Sequence, residues 1–247
     1  MQGPGLQIEW STTGAPPRLR TGPGLPISEF LSGRAAADVA ELLPRLFNVC
    51  AVTQRVAARL ALGLDPEPGD DGALRDEILR EHVLAFSVRW PSHLGLTQRP
   101  DLLQLPGEQL RRGLFGSALL PHTLTSFLDA LRDGRAPGRR VLQHLSQHFA
   151  PGDAGAAPLP AAHLGNPFDG TARENSAAGR RGDHPLVSDI EDIYCRGPLW
   201  RATARAIELE ALAQGWQPRA LRHPDGTAAV AAARGSYVCR ATCDARR

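Results

Sequence analysis

Amphipathic helical periodicity is the sequence feature that most constrains the fold of this chain. Apolar residues recur every three or four positions in five stretches, over residues 35–60, 71–90, 124–131, 139–149 and 199–212. A helix with this pattern is apolar along one face and must pack that face against another element. The pattern therefore predicts a mainly α fold, a bundle of helices around a shared core.

Proline and glycine set the expected helix boundaries. Pro44 is predicted to divide the first stretch into two helices, the second of which carries Cys50 near its N-terminal end. Asp71-Gly72 is expected to cap the next helix. Pro91 is expected to end it, because proline lacks the N–H that a helix interior needs. Gly215 is expected to close the last helix.

Short strands are predicted near the two ends of the chain. Residues 6–10 alternate apolar and polar side chains, which predicts a short N-terminal edge strand followed by a Gly/Pro-rich crossing. Residues 220–223 and 227–238 flank the turn Pro224-Asp225-Gly226 and predict a C-terminal β-hairpin. The expected fold class is therefore α+β, with helices dominant.

Residues 150–186 are rich in Ala, Gly, Pro and Asp and show no periodicity. This composition predicts a flexible loop. The chain has no internal repeat, so residues 1–247 are expected to form a single domain that contains this loop.

Charge and cysteine content exclude several classes of protein. The 28 basic residues are all arginine and nearly balance 26 acidic residues, which does not favour nucleic acid as a partner. Four scattered cysteines do not form a disulfide framework. Neither a signal peptide nor a run of about 18 apolar residues is present, so we expect a cytoplasmic protein with reduced thiols and no membrane insertion.

Two pairs of residues have spacings that can bind metal. His144 and His148 are four apart on a predicted helix, which allows chelation, although two surface histidines are the alternative. Cys239 and Cys243 are separated by three residues, whereas zinc knuckles usually have two. Neither pair has an obvious third ligand. Composition and spacing alone therefore predict only a mainly helical domain.

Residues 45–54, R-L-F-N-V-C-A-V-T-Q, resemble the N-terminal metal motif of nickel-iron hydrogenase large subunits, R-x-C-G-x-C-x-x-x-H. Arg45 and Cys50 match its Arg and second Cys, whereas its first Cys, Gly and His are replaced by Phe47, Asn48 and Gln54. In that family the first Cys binds nickel alone and the second bridges nickel and iron. The resemblance implies that this chain keeps only the bridging position.

Three further segments resemble the same family in the same order. They are R-E-H-V-L at 80–84 followed by R-W-P at 89–91, G-P-L-W-R at 197–201, and A-A-R-G-S-Y-V at 232–238. The last resembles the A-P-R-G-x-L segment, whose Arg approaches the cyanide ligands of iron. The combination most closely resembles the HupK-type hydrogenase accessory proteins, degenerate relatives of the large subunit. It implies a helical bundle similar to the large-subunit core.

The resemblance implies a maturation or assembly factor with no catalytic residues. Such a protein would be a scaffold or chaperone for inserting the iron-dicyanide-carbonyl unit, Fe(CN)2CO, into the hydrogenase large subunit. Cys50 would bind this precursor transiently and Arg234 would donate hydrogen bonds to cyanide. Nickel binding is not expected, because Phe47 occupies a nickel position. The implied partners are the large subunit and cofactor-assembly proteins similar to HypC and HypD.

Two alignments of the C-terminal cysteines remain open. In one, Cys239 and Cys243 are the family's second metal-binding pair, D-P-C-x-x-C-x-x-H, although the gap is one residue longer and Asp-Pro is absent. In the other, Cys239 occupies the His position of A-P-R-G-x-L-x-H and the chain ends before the second pair. The second alignment needs no gap and keeps Arg234 in its role.

Other interpretations of Cys50 and of the whole chain also remain open. We expect a lowered thiol pKa for Cys50, since it precedes a helix. The alternative is a buried core cysteine without a ligand role. The chain could also be a divergent or inactive large subunit, or a metal-free mimic of the large subunit that binds maturation proteins.

Overall fold

A computed structural model describes residues 6–9, 18–22, 26–47, 49–117, 119–155, 158–162, 164–165 and 171–242. The α-helices in these ranges are α1 Ile27–Leu31, α2 Ala36–Leu42, α3 Ala51–Ala61, α4 Asp70–Leu84, α5 Trp90–His93, α6 Gly107–Phe115, α7 Leu124–Asp133, α8 Pro137–His148, α9 Ala177–Arg181, α10 Pro185–Tyr194 and α11 Pro198–Ala213. The strands are β1 Leu6–Glu9, β2 Arg18–Thr21, β3 Ala220–Arg222, β4 Thr227–Ala232 and β5 Gly235–Arg240. The prediction of a mainly α fold with small β elements is confirmed.

Helix α11 is the centre of the larger core. Gly197 precedes it and Pro198 occupies its first turn, where a missing N–H costs nothing. Its buried residues lie all around the helix and include Trp200 and Leu209. Helices α4, α8, α9 and α10 pack around it. A helix enclosed in this way is stabilised mainly by tertiary packing.

A second core lies between α3 and the C-terminal sheet. Val56 and Ala57 of α3 form a cluster with Leu74 and Ile78 of α4 and Val230 of β4. Every residue of β4 is buried, as expected for a central strand covered by a helix. This packing fixes the N-terminal end of α3 relative to the turn between β4 and β5.

The prediction that Pro91 ends the helix is wrong. The chain continues from α4 through a π-helical segment, Ala85–Arg89, into α5, which contains Pro91. Proline cannot donate to the carbonyl four residues earlier, and that carbonyl, of Ser87, instead accepts the N–H of Arg99 at 2.7 Å. The π-helical turn and this loop contact let the helix pass the proline.

The C-terminal β-hairpin is confirmed, but it has one strand more than predicted. The segment predicted as one strand bends at Ala233-Arg234, so that β3, β4 and β5 form an antiparallel meander. Gly235 follows with φ +149°, and a Cβ there would collide with the carbonyl oxygen of Asn175. The N-terminal strand is also confirmed, and it pairs with β2, a strand that the sequence did not predict.

The prediction of an irregular loop over residues 150–186 is wrong from residue 177 onward. Helix α9 forms there with Ala177 and Ala178 buried against α11, and α10 follows before residue 186. Cys195 is exposed. None of the helices in the described ranges is long and apolar enough to cross a bilayer.

Candidate functional site

Cys50 is the residue that immediately precedes α3. Its backbone has φ 55° and ψ 43°, the left-handed conformation that non-glycine residues seldom adopt. Its carbonyl oxygen accepts the N–H of Gln54 at 2.9 Å, which closes the first helical turn. The thiol makes no capping hydrogen bond and the residue is half-buried. The predicted position at a helix N-terminus is confirmed.

Glu77 of α4, rather than Cys50, caps α3. Its carboxylate accepts the backbone N–H groups of Val52 at 2.8 Å and Thr53 at 3.0 Å, and the Thr53 hydroxyl at 2.6 Å. These are donors that a helix N-terminus leaves without intrahelical partners. A carboxylate therefore already lies where an anionic ligand of the helix terminus would lie.

The expected lowering of the Cys50 thiol pKa is wrong. Burial raises the pKa above its ordinary value, and the negative charges of Glu77 and Glu81 raise it further. The positive charges of Arg234 and Arg89 oppose this rise in pKa without reversing it. The Glu77 cap brings a negative charge to the helix terminus that was expected to favour the thiolate.

Arg234 lies in the β4–β5 turn, with its side chain 55% exposed. Its Nη2 is 3.8 Å from Glu81 Oε2, and Arg89 Nη2 donates to the same oxygen at 2.8 Å. Because Arg234 lowers the pKa of Cys50, the two residues singled out by sequence lie close enough to interact electrostatically. We call Cys50, Glu77, Glu81, Arg89 and Arg234 the outer cluster.

Two residues at metal-motif positions of the hydrogenase family serve packing and local structure here. Phe47 packs against the small core formed by Ala40, Leu43 and Ala58. Gln54 is buried, and its Nε2 donates to the carbonyl of Val49 at 2.7 Å, which braces the turn before Cys50. An aromatic ring and an amide held in this way are not ligands for nickel.

Cys239 is the C-terminal cysteine that the structure describes. Cys239 lies half-buried on β5, where it packs against both apolar clusters around α3, and burial raises its pKa. Cys243 lies outside the described residues. Within the part of the chain that the structure describes, no three His, Cys, Asp or Glu side chains form a group suited to a metal ion.

The His144 and His148 rings stack with their centroids 3.8 Å apart, and no third ligand lies beside them among the described residues.

A buried charged network, which the sequence did not predict, lies next to the outer cluster. His82 and Glu208 are both 0% exposed, and His82 Nε2 lies 2.8 Å from Glu208 Oε2. The Nε and Nη2 groups of Arg180 donate hydrogen bonds to the two oxygens of the same carboxylate, at 2.7 and 2.8 Å. We call His82, Arg180, Arg205 and Glu208 the inner network.

Hydrogen bonds and burial determine the protonation states of His82 and Glu208 in the inner network. Arg205 Nε donates to His82 Nδ1 at 3.1 Å, so the ring proton lies on Nε2 and is donated to Glu208. Burial lowers the pKa of His82, which keeps the ring neutral. The hydrogen bonds from Arg180 and His82 outweigh burial and hold the pKa of Glu208 well below its ordinary range.

The two groups of charges are physically connected. Arg180 Nη2 also donates to the carbonyl of Ala232 at 2.8 Å, two residues before Arg234. Arg205 stacks on the ring of Trp90 at 5.3 Å, and burial lowers its pKa to about 10. The network therefore holds the turn that carries Arg234. R-E-H at 80–82 was the sequence signal, but it could not reveal a partner 126 positions away.

No family model matches this chain. It is 43% identical over 227 residues to the hydrogenase expression/formation protein HupK of Rhodobacter capsulatus, an alignment that covers 90% of this chain and 72% of that protein. The chain therefore belongs to the HupK family of hydrogenase expression/formation proteins.

Proposed function

We propose that this protein is a cytoplasmic accessory factor of hydrogenase maturation that holds the Fe(CN)2CO unit transiently and passes it to the hydrogenase large subunit. The unit is cargo rather than a resident cofactor, and the protein catalyses no reaction. Membership of the HupK family supports the maturation role, since its relative is named as a hydrogenase expression/formation protein. Cofactor-assembly proteins similar to HypC and HypD are the proposed donors.

The observation that carries the proposal is the outer cluster. It combines one half-buried thiol, Cys50, with two guanidinium groups, Arg89 and Arg234, whose charge acts on that thiol. A thiolate is a ligand that suits a soft, low-spin iron. Arginine N–H groups are donors for the nitrogen of bound cyanide, and among the described residues Arg234 makes only a 3.8 Å ion pair. The proposed roles are Cys50 as ligand and Arg234 as hydrogen-bond donor.

The raised pKa of Cys50 fits a temporary holder. Because the thiol must lose its proton to bind iron, binding releases a proton and weakens as the pH falls. The carboxylates of Glu77 and Glu81 oppose the thiolate when no iron is present. A site that favours the thiol form when empty holds its cargo less tightly than a permanent metal centre and can release it to the large subunit.

Nickel has no proposed role. The nickel-only position of the hydrogenase motif is Phe47, whose ring packs in the core, so Cys50 has no neighbouring thiolate from that motif. Whether Cys239 or Cys243 contributes a second ligand stays a prediction of the first C-terminal alignment. We propose Cys50 alone as the required ligand.

Infrared spectroscopy tests the proposed cargo. The protein is produced together with the maturation machinery and purified without oxygen, and its spectrum is examined for carbonyl and cyanide stretching bands. We expect both bands in the wild type and in Cys195→Ser, which removes an exposed cysteine. We expect loss of both bands in Cys50→Ser. Absence of bands from the wild type, under conditions that load known carriers, contradicts the proposal.

A further inference from the structure

A cavity of about 320 Å³ opens between α5, α8, α11 and the β4–β5 turn. Its walls are mainly apolar and include Trp90, Leu94, Leu145, Pro198 and Ala202. This volume lies at the lower end of the range for small-molecule sites, which are typically apolar with a few polar groups that orient the ligand. Cys50 is not among the residues that line it.

The charged groups of the cavity are of one sign. Arg201, Arg205 and Arg234 line it, and none of the described residues lining it is acidic. Arg201 is already paired, since its Nη2 donates to Glu174 at 2.7 Å and its Nη1 donates to the carbonyl of Arg196 at 3.1 Å. The positive charge available to a ligand is therefore that of Arg205 and Arg234.

Arg205 is fixed in place but incompletely paired. Its Nε donates to His82 and its guanidinium group stacks on Trp90, yet its Nη2 is buried and has no hydrogen-bond partner among the described residues. A buried donor without a partner is destabilising. Arg234 reaches Glu81 only at 3.8 Å, beyond hydrogen-bonding distance. Both guanidinium groups keep donors for a bound anion.

We propose that this cavity binds a small organic anion, a carboxylate attached to an apolar body. The carboxylate would pair with Arg205 and Arg234, and the apolar body would lie against Trp90, Leu94 and Leu145. A fully hydrated anion such as phosphate would leave the apolar walls without a partner. This site is additional to the proposed iron site and shares only Arg234 with it.

Benzoate is the probe, titrated into the purified full-length protein by isothermal calorimetry. We expect saturable binding of one benzoate with a Kd of about 1 mM or below. Benzamide has the same ring without the charge, and phosphate has charge without the ring, so both should bind at least about tenfold more weakly. Equal binding of benzamide or phosphate overturns the proposal, as does the absence of benzoate binding.

Variants locate the binding to this cavity. Arg234→Gln should weaken benzoate binding about tenfold. Arg240→Gln is its matched control, because the Arg240 side chain is 54% exposed on the same strand pair but does not line the cavity. Leu145→Trp should block the cavity, with the fold monitored by circular dichroism. Wild-type affinity in both Arg234→Gln and Leu145→Trp would overturn the proposal.

Arg205→Met removes the more buried guanidinium group and should abolish benzoate binding if the variant remains folded. Cys50→Ser keeps the cavity intact, so it should bind benzoate with wild-type affinity. Loss of binding in Cys50→Ser would overturn the assignment to this cavity. Because the infrared test reports on Cys50 and the benzoate titration does not depend on its thiol, failure of one proposal is distinguishable from failure of the other.

Discussion

Adjacent residues of α4 belong to two groups of charges with opposite characters. His82 is 0% exposed and lies in the inner network, where both carboxylate oxygens of Glu208 accept hydrogen bonds. Glu81 is 18% exposed and lies in the outer cluster, where it is shared between Arg89 and the more distant Arg234. A single step along α4 therefore separates a buried group of mutually paired charges from a partly exposed group in which Arg234 is only weakly paired.

The difference follows from the cost of burying charge. A carboxylate taken fully out of water must be neutralised and hydrogen-bonded, so Glu208 is surrounded by donors from α4 and α9. The outer cluster is partly exposed, so water can solvate its charges. Arg234 and the Cys50 thiol can therefore remain incompletely paired. The inner network supports the fold, and the outer cluster keeps incompletely paired groups for the proposed ligand.

The largest expected effect comes from breaking the inner network. Glu208→Gln keeps the side-chain shape but leaves the charge of Arg180 without its buried counter-ion. We expect the free energy of unfolding, measured by urea denaturation, to fall by about 3–5 kcal/mol. Glu81→Gln is the matched change in the outer cluster and should cost about 1 kcal/mol or less. Equal losses in the two variants would remove the distinction between the two regions.

Acid should weaken the inner network in two stages. Burial lowers the folded-state pKa of His82 below its ordinary 6.5, so its stabilising contribution is present above pH 6.5 and is lost as the pH falls below that value. The depressed pKa of Glu208 adds a second loss of stability. This loss begins as the pH falls below 4.5, the ordinary pKa of a glutamate side chain. The unfolding free energy should therefore decrease as the pH falls from 7 to 5, by up to about 1.4 kcal/mol per pH unit for His82.

Replacing His82 identifies the source of this pH dependence. His82→Gln should be less stable at pH 7 and should lose part of the slope of unfolding free energy between pH 6.5 and 5. An unchanged slope in His82→Gln would show that other groups cause the acid effect.

The smallest expected effects are on the thiol of Cys50. Glu77→Gln and Glu81→Gln remove charges that raise its pKa, so each should lower that pKa, with Glu77→Gln the stronger. Arg234→Gln should raise it further, because the arginine lowers it in the wild type. The measurement is the rate of alkylation by iodoacetamide against pH, followed on the peptide that contains Cys50 by mass spectrometry, in a Cys195→Ser background. Shifts of the same sign in all three variants would contradict the described arrangement.

The sequence predicted the helices whose apolar faces are long and regular. Helices α7, α8 and α11 end within a few residues of their predicted bounds, because leucine and phenylalanine at helical spacing are enough to indicate a buried face. Helix α9 was missed because its buried face consists of alanines and its arginines resemble a solvated surface. Tertiary contacts stabilise that segment, namely the pairing of Arg180 with Glu208 and the packing of Ala177 and Ala178 against α11.

For the candidate site, the sequence singled out residues but not their electrostatics. The motif resemblance points to Cys50 and Arg234, which lie close enough to interact electrostatically, and their roles as ligand and donor stay predictions. The direction of the thiol pKa was wrong because the cap of α3 comes from Glu77, more than 20 positions away, and local sequence could not reveal that contact. The inner network was missed for the same reason, since its members come from distant segments.

Complementation of a strain that lacks the gene tests the central claim, that the thiol of Cys50 is required for hydrogenase maturation. Wild type, Cys50→Ser and Cys195→Ser are expressed at matched levels, and hydrogen-dependent dye reduction is measured in cell extracts. We expect wild-type activity with Cys195→Ser and loss of activity with Cys50→Ser. Full restoration by Cys50→Ser would contradict the account and would identify the protein as a metal-free mimic of the large subunit.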